Sequence, residues 1–172
     1  AQLWINLPAK DKMTEPEYND IQPGMMVDVK EEDAHVVVIS GEYKNQKAKM
    51  QGNFVKTLYL DVALKPEAVW EINTKSGDTV FTYIVDGSFD VDGEVYDSKK
   101  AVLFEEGDKV SVKAGKDGVR FLFLEAKPLN EPVAWGGPIV MNTREELAEA
   151  FDELDDGTFE KGCDKAHKDF YK

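Results

Sequence analysis

An all-β sandwich or barrel, closed by one short C-terminal α-helix, is the fold that this sequence predicts. Seven short apolar runs at regular spacing, turn signals between them, and a single capped amphipathic stretch near the end carry that prediction. No helix-length segment separates the runs, which sets aside a βαβ arrangement. With 172 residues, 42% hydrophobic and 32% charged, the chain is long enough for one domain with a real core.

Taken in order, AQLWINLP alternates Leu3, Ile5 and Leu7 with Gln2, Trp4 and Asn6, which predicts a strand over residues 1–8. A chain that opens inside a strand points to a segment before it. Residues 9–33 carry Pro16, Pro23 and Gly24 among polar residues and read as a linker. The barrel then spans 34–141. Its strands are AHVVVIS (34–40), TLYLDVAL (57–64), AVWEI (68–72), TVFTYIV (79–85), AVLFE (101–105), VSV (110–112) and VRFLFLE (119–125).

Asp92-Gly93 is the dipeptide that a tight hairpin needs for positive φ at its centre, and Gly107-Asp108 and AGKDG (114–118) supply further turns. The lysine-bearing segment GEYKNQKAKMQGN (41–53) reads as a solvated loop in preference to an anion site. Trp70, Phe81, Tyr83, Phe104, Phe121 and Phe123 alternate within the strands and are assigned to the core, although a barrel interior also offers a ligand platform.

The run EPVAWGGPIVMNTREEL (131–147) leads into the helix. Thr143 and Glu146 have the spacing of a capping box, in which a hydroxyl and a carboxylate satisfy each other's free backbone N–H groups. Leu147, Ala150, Phe151 and Leu154 fall on one face, and Gly157 supplies the stop, so the closing helix spans 142–157 and a tail spans 158–172. Gly136, Gly137 and Pro138 set a strand at an angle to that helix. Glu153, Asp155 and Asp156 put the wrong sign of charge at its C-terminal end, which should be solvated or meet a basic partner.

A net charge of −13 opposes the phosphate neutralisation on which nucleic-acid affinity depends, so no direct nucleic-acid partner is expected. No apolar run reaches the length of a membrane span, and no membrane partner is expected. The single cysteine, Cys163, fits an inert thiol in a reducing, cytoplasmic compartment.

Assembled, these residues resemble the C-terminal part of the pirin family of two-cupin proteins. QLWINLPAKDKM (2–13) is similar to the segment between the two cupins, and YLDVAL (59–64) and FTYIVDG (81–87) to strands of the second. KPLNEPVAWGGPIVMNTREELAEAF (127–151) resembles the family's most distinctive run. The resemblance implies a cupin-type double-stranded β-helix, that is, a β-barrel or jelly roll, with a short C-terminal α-helix. It also implies that residues 1–8 are carried over from a preceding first cupin, whose histidine-rich metal motif is not among these 172 residues.

Cupin metal sites join imidazoles to a carboxylate, the N/O set that suits Fe²⁺ with open positions. This chain has two histidines, His35 and His167, neither in such a motif. The positions where a cupin would carry ligands hold Asn73, Lys75, Asp78 and Thr79, with a later one near Val119 and Arg120, and a protonated lysine repels a cation. No catalytic residue and no cofactor is therefore expected in this chain, and iron or a similar divalent metal is expected in the first cupin. His35 with Asp78, and Glu105 with Glu106, read as surface groups.

The expected role is that of a non-catalytic, metal-free second cupin that packs against the metal-bearing first. The family's activities, quercetin 2,3-dioxygenase-like oxygen chemistry and redox-linked transcriptional co-regulation, belong to the complete protein. Trp135, Gly136, Gly137, Pro138, Met141 and Asn142 are the expected inter-domain contact. Alternatives are a standalone small-molecule-binding barrel and a protein-interaction module. Without the first half, an exposed strand and barrel face would invite self-association.

Overall fold

A computed structural model describes residues 2–159, and Cys163, His167 and the rest of the expected tail from 160 onward lie outside the described residues. The chain divides into two compact units, Ile21–Pro128 and the pair of segments Ala1–Asp20 with Leu129–Lys172. Among the described residues no helix is long and apolar enough to cross a membrane.

The Ile21–Pro128 unit is all β. Its main sheet contains β1 (Val27–Lys30), β2 (Ala34–Ser40), β5 (Thr57–Leu64), β10 (Lys109–Ala126), β7 (Thr79–Val91) and β8 (Glu94–Asp97), hydrogen-bonded in that order. Two further strands, β6 (Val69–Asn73) on β10 and β9 (Ala101–Leu103) on β7, complete it, and β3 (Glu42–Tyr43) with β4 (Gln46–Lys47) forms a separate hairpin. Alternation decides which side chains go inward: Val36, Val38, Leu60, Val62, Ile84, Phe121 and Phe123 are all fully buried.

Strand β10 unites what the sequence offered as two runs. VSV and VRFLFLE are one strand, and AGKDG is a bulge inside it instead of a turn. Between Ala114 and Val119 the chain takes five steps while β7 takes two, from Phe89 to Gly87. β7 pairs with β10 on both sides of this excess, while the other neighbour of β10 changes from β6 in the first part to β5 in the second. Glycine is required there: Gly87 has φ 76°, and a Cβ on it would run into the carbonyl oxygen of Gly118.

Other boundaries also differ from expectation. Residues 2–8 form no strand, since no strand among the described residues pairs with them despite their alternating pattern. The 9–33 stretch is not wholly a linker: it holds 3₁₀ turns at Ala9–Asp11 and Pro23–Met25 and ends in β1. The 41–53 loop contains the β3–β4 hairpin, turned by positive φ at Lys44 and Asn45, and buries Tyr43 and Ala48. The Asp92-Gly93 hairpin is found as expected, with Val91 opposite Glu94.

In the second unit, β11 (Ala134–Gly136) and β12 (Ile139–Met141) form a hairpin that precedes α1 (Arg144–Asp155). The barrel unit therefore ends before the run expected to complete it. Both halves of the Thr143–Glu146 capping box are made, and Gly157 follows the helix at φ 69°.

Two glycines with similar φ allow clash to be separated from backbone strain. Gly93, φ 87°, has open space where a Cβ would go. Gly93→Ala should therefore cost about 1–2 kcal/mol, and Gly87→Ala more than about 3 kcal/mol. Urea unfolding of both variants checks the ordering; equal losses would mean that the bulge tolerates a side chain.

Candidate functional site

The inward face of the larger unit is filled with rings. Trp70 meets Phe121 and Phe123 edge-on, both at 5.6 Å between centroids, Phe89 meets Phe121 at 5.5 Å, and Tyr43 stacks on Trp70 at 6.2 Å. Burying these rings also buries two polar tips, and a chain of donors satisfies them. Trp70 Nε1 donates to Tyr43 Oη at 3.0 Å, Tyr43 Oη donates to Glu31 Oε1 at 2.8 Å, and Lys44 Nζ lies 2.7 Å from the same carboxylate oxygen. Burial, reinforced by Glu31, pushes the Tyr43 phenol above its usual pKa.

The positions matched to cupin ligands lie at the β6–β7 connection. Asn73 ends β6 opposite Lys109, Thr79 begins β7 opposite Ala126, and Asn73, Lys75 and Thr79 are all exposed. Of the later pair, Val119 is buried, and Arg120 is exposed and paired bidentately with Asp61 through Nε at 2.9 Å and Nη2 at 2.5 Å. His35 is hydrogen-bonded to Asp28 at 2.7 Å. Among the described residues, no three His, Cys, Asp or Glu side chains are grouped to hold a metal ion.

What gathers at the β6–β7 connection is a buried carboxylate that the sequence reading overlooked. Glu125, only 8% exposed, accepts the Lys75 backbone N–H at 2.8 Å through Oε1. Burial raises its pKa; the Lys75 N–H and ammonium pull it back, and Asp78 pushes it up. The signal was available in VRFLFLE, where Glu125 shares the parity of the buried Phe121 and Phe123. Thr82, opposite Phe123, is fully buried, and its hydroxyl meets no hydrogen-bond partner among the described residues.

In the smaller unit, the residues expected to make an inter-domain contact separate by role. Gly136 lets the hairpin close on α1, since a Cβ there would stand 3.2 Å from both Leu147 Cδ2 and Phe151 Cε2. Gly137 turns the hairpin at φ 52°, and its carbonyl accepts Trp135 Nε1–H at 2.9 Å. Asn142 donates through Nδ2 to Pro132 O at 2.9 Å and to Glu131 Oε2 at 3.2 Å.

Glu131 Oε2 also accepts the Ala9 N–H at 2.8 Å, tying residues 2–20 to the hairpin, while Lys12 Nζ donates to Asn6 Oδ1 at 2.6 Å. Burial lowers the Lys12 pKa against the pull of Glu131 and Glu146. Trp135 is 72% exposed, and Pro138 and Met141 line an apolar groove of about 780 Å³ together with Trp4, Ile5 and Leu154.

Comparison with known proteins places these features in a family. The profile of the pirin C-terminal cupin domain matches residues 59–160. The chain is 37% identical over 160 residues to a pirin-like protein of Caulobacter vibrioides, covering 92% of the chain and 58% of that protein. To human pirin it is 36% identical over 172 residues, covering 96% and 58%. A crystal structure of a quercetin 2,3-dioxygenase from Acinetobacter baumannii superposes with a TM-score of 0.82 at 32% identity, over 91% of this chain and 55% of that one. The chain thus spans less than two thirds of the length of these relatives.

Glu125 gives a pH prediction. Because its folded pKa is raised, the folded state holds a proton that the unfolded state gives up near the ordinary carboxylate value. Its favourable contribution is complete below the unfolded pKa of about 4.5 and is lost as pH rises through the folded one. Glu125→Gln should keep an acceptor for Lys75 N–H, remove that part of the decline, and leave the protein at least as stable as wild type at neutral pH. Urea titrations from acid to neutral pH check this; a variant that loses stability in parallel with wild type would show that Glu125 is ionised without penalty.

Proposed function

The chain belongs to the pirin family, and on that premise we propose that it is a metal-free, non-catalytic second cupin that packs against a metal-bearing first cupin and supports its site. The inward face of the strands carries this reading, because rings occupy it: Trp70, Phe89, Phe121 and Phe123 interlock at 5.5–5.6 Å. The residues present do not fit an iron centre. The chain has two histidines, and the matched ligand positions carry an amide, a hydroxyl and an ammonium group on exposed residues.

Iron or a similar divalent metal, and with it quercetin 2,3-dioxygenase-like oxygen chemistry or redox-linked co-regulation, then belongs to the complete, family-length protein. The inter-domain contact runs through Trp135, Pro138 and Met141. Gly136, Gly137 and Asn142 shape the hairpin that presents them.

Removing the matching half from the Acinetobacter baumannii quercetin 2,3-dioxygenase should abolish most of its turnover of quercetin, and supplying that half in trans should restore it. Unchanged kinetics after removal would contradict the supporting role. For the present chain, added Fe²⁺ should leave the thermal midpoint unmoved, since only a ligand that prefers the folded state raises it.

A further inference from the structure

The described residues of the small unit leave much of their apolar surface exposed. Among its described residues only Ile139 and Ala150 are buried, while Trp4 is 54% and Leu154 46% exposed. A helix of 12 residues depends on tertiary packing of its apolar stripe for stability, and α1 buries only Ala150 completely.

The groove between Trp4, Ile5, the β12 strand and Leu154 continues into a second cleft, with which it shares Lys12, Met13 and Met141. Glu146, Glu149 and Glu153 line that cleft. Beyond Leu154 the helix ends in Asp155 and Asp156 with no basic residue in its last turn, so side-chain charge adds to the negative end of the helix dipole.

We propose that this groove seats a polypeptide surface with an apolar centre and a Lys- or Arg-bearing edge, and not a second copy of this chain. The proposal rests on the docking role given above and adds the chemistry of the partner. An apolar centre is needed to cover Trp4, Ile5 and Leu154. A basic edge is favoured by net charge alone, since the described part of the unit carries twelve carboxylates against Lys10, Lys12 and Arg144. Lys12 is already held by Asn6, and Arg144 lies at the opposite end of the helix. Two copies meeting here would bring like charges together, an arrangement that costs affinity.

The test uses the 172-residue chain and three synthetic helix-forming peptides of about four turns, built from Leu and Lys, Leu and Glu, or Ser and Lys. Only the Leu/Lys peptide should bind tightly in calorimetry, and its affinity should fall several-fold between about 0.05 M and 0.5 M NaCl. Asp155→Lys with Asp156→Lys, both exposed, should weaken it about tenfold without changing helix content by circular dichroism. Leu154→Asp should abolish it, which separates seating in the groove from attraction to an acidic protein.

Equal binding of the Leu/Glu peptide, or equal binding of the Ser/Lys peptide, would overturn the partner chemistry while leaving docking itself intact. Failure of all three peptides would overturn the groove as a docking site. So would sedimentation showing a dimer of the chain that Leu154→Asp dissociates.

Discussion

Trp70 stands edge-on to both Phe121 and Phe123, and its N–H cannot be left unpaired in that surrounding. Tyr43 resolves the conflict by accepting that hydrogen and passing its own to Glu31 at the edge. From this one requirement much else follows. The 41–53 segment must fold inward as a hairpin to deliver Tyr43, Lys44 must neutralise Glu31, and β10 must bend so that β6 can carry Trp70 over the same strand that supplies the two phenylalanines.

The same packing has a functional consequence. An open-sided metal centre needs several imidazole and carboxylate groups and room for a substrate on one inward face. On the inward face here Trp70, Phe89, Phe121 and Phe123 interlock, and Glu125, drawn inward at the β6–β7 connection, is engaged by a backbone N–H. The matched ligand positions Asn73, Lys75 and Thr79 lie exposed at the connection between β6 and β7.

Much of this was legible in the sequence, and the failures have physical causes. Alternating strands, the Asp92-Gly93 hairpin and the Thr143–Glu146 cap are local signals, and they appear where local chemistry places them. Residues 2–8 alternate as well, yet they pair with no strand among the described residues, because alternation describes a side-chain pattern and not the presence of a partner edge. The AGKDG bulge looked like a turn because Gly118 is needed either way; only pairing with two successive partners tells a bent strand from two short ones. Of the expected contact residues, exposure singles out Trp135 and Pro138, whereas Gly136 and Asn142 work within their own unit, a division that depends on three-dimensional neighbours.

The two units also differ in how they are held. In the larger one a continuous cluster from Val36 to Phe123 supplies the stability, whereas the smaller one relies on Glu131, Asn142 and the helix cap, with its apolar residues half in water. A supporting cupin has use for such a surface, and a self-sufficient enzyme domain would be expected to cover it. Elemental analysis of the purified 172-residue chain separates these cases most directly. A metal-free second cupin gives near-zero iron, nickel, zinc, copper and manganese per mole of protein, whereas close to one equivalent of metal, retained through gel filtration, would contradict it.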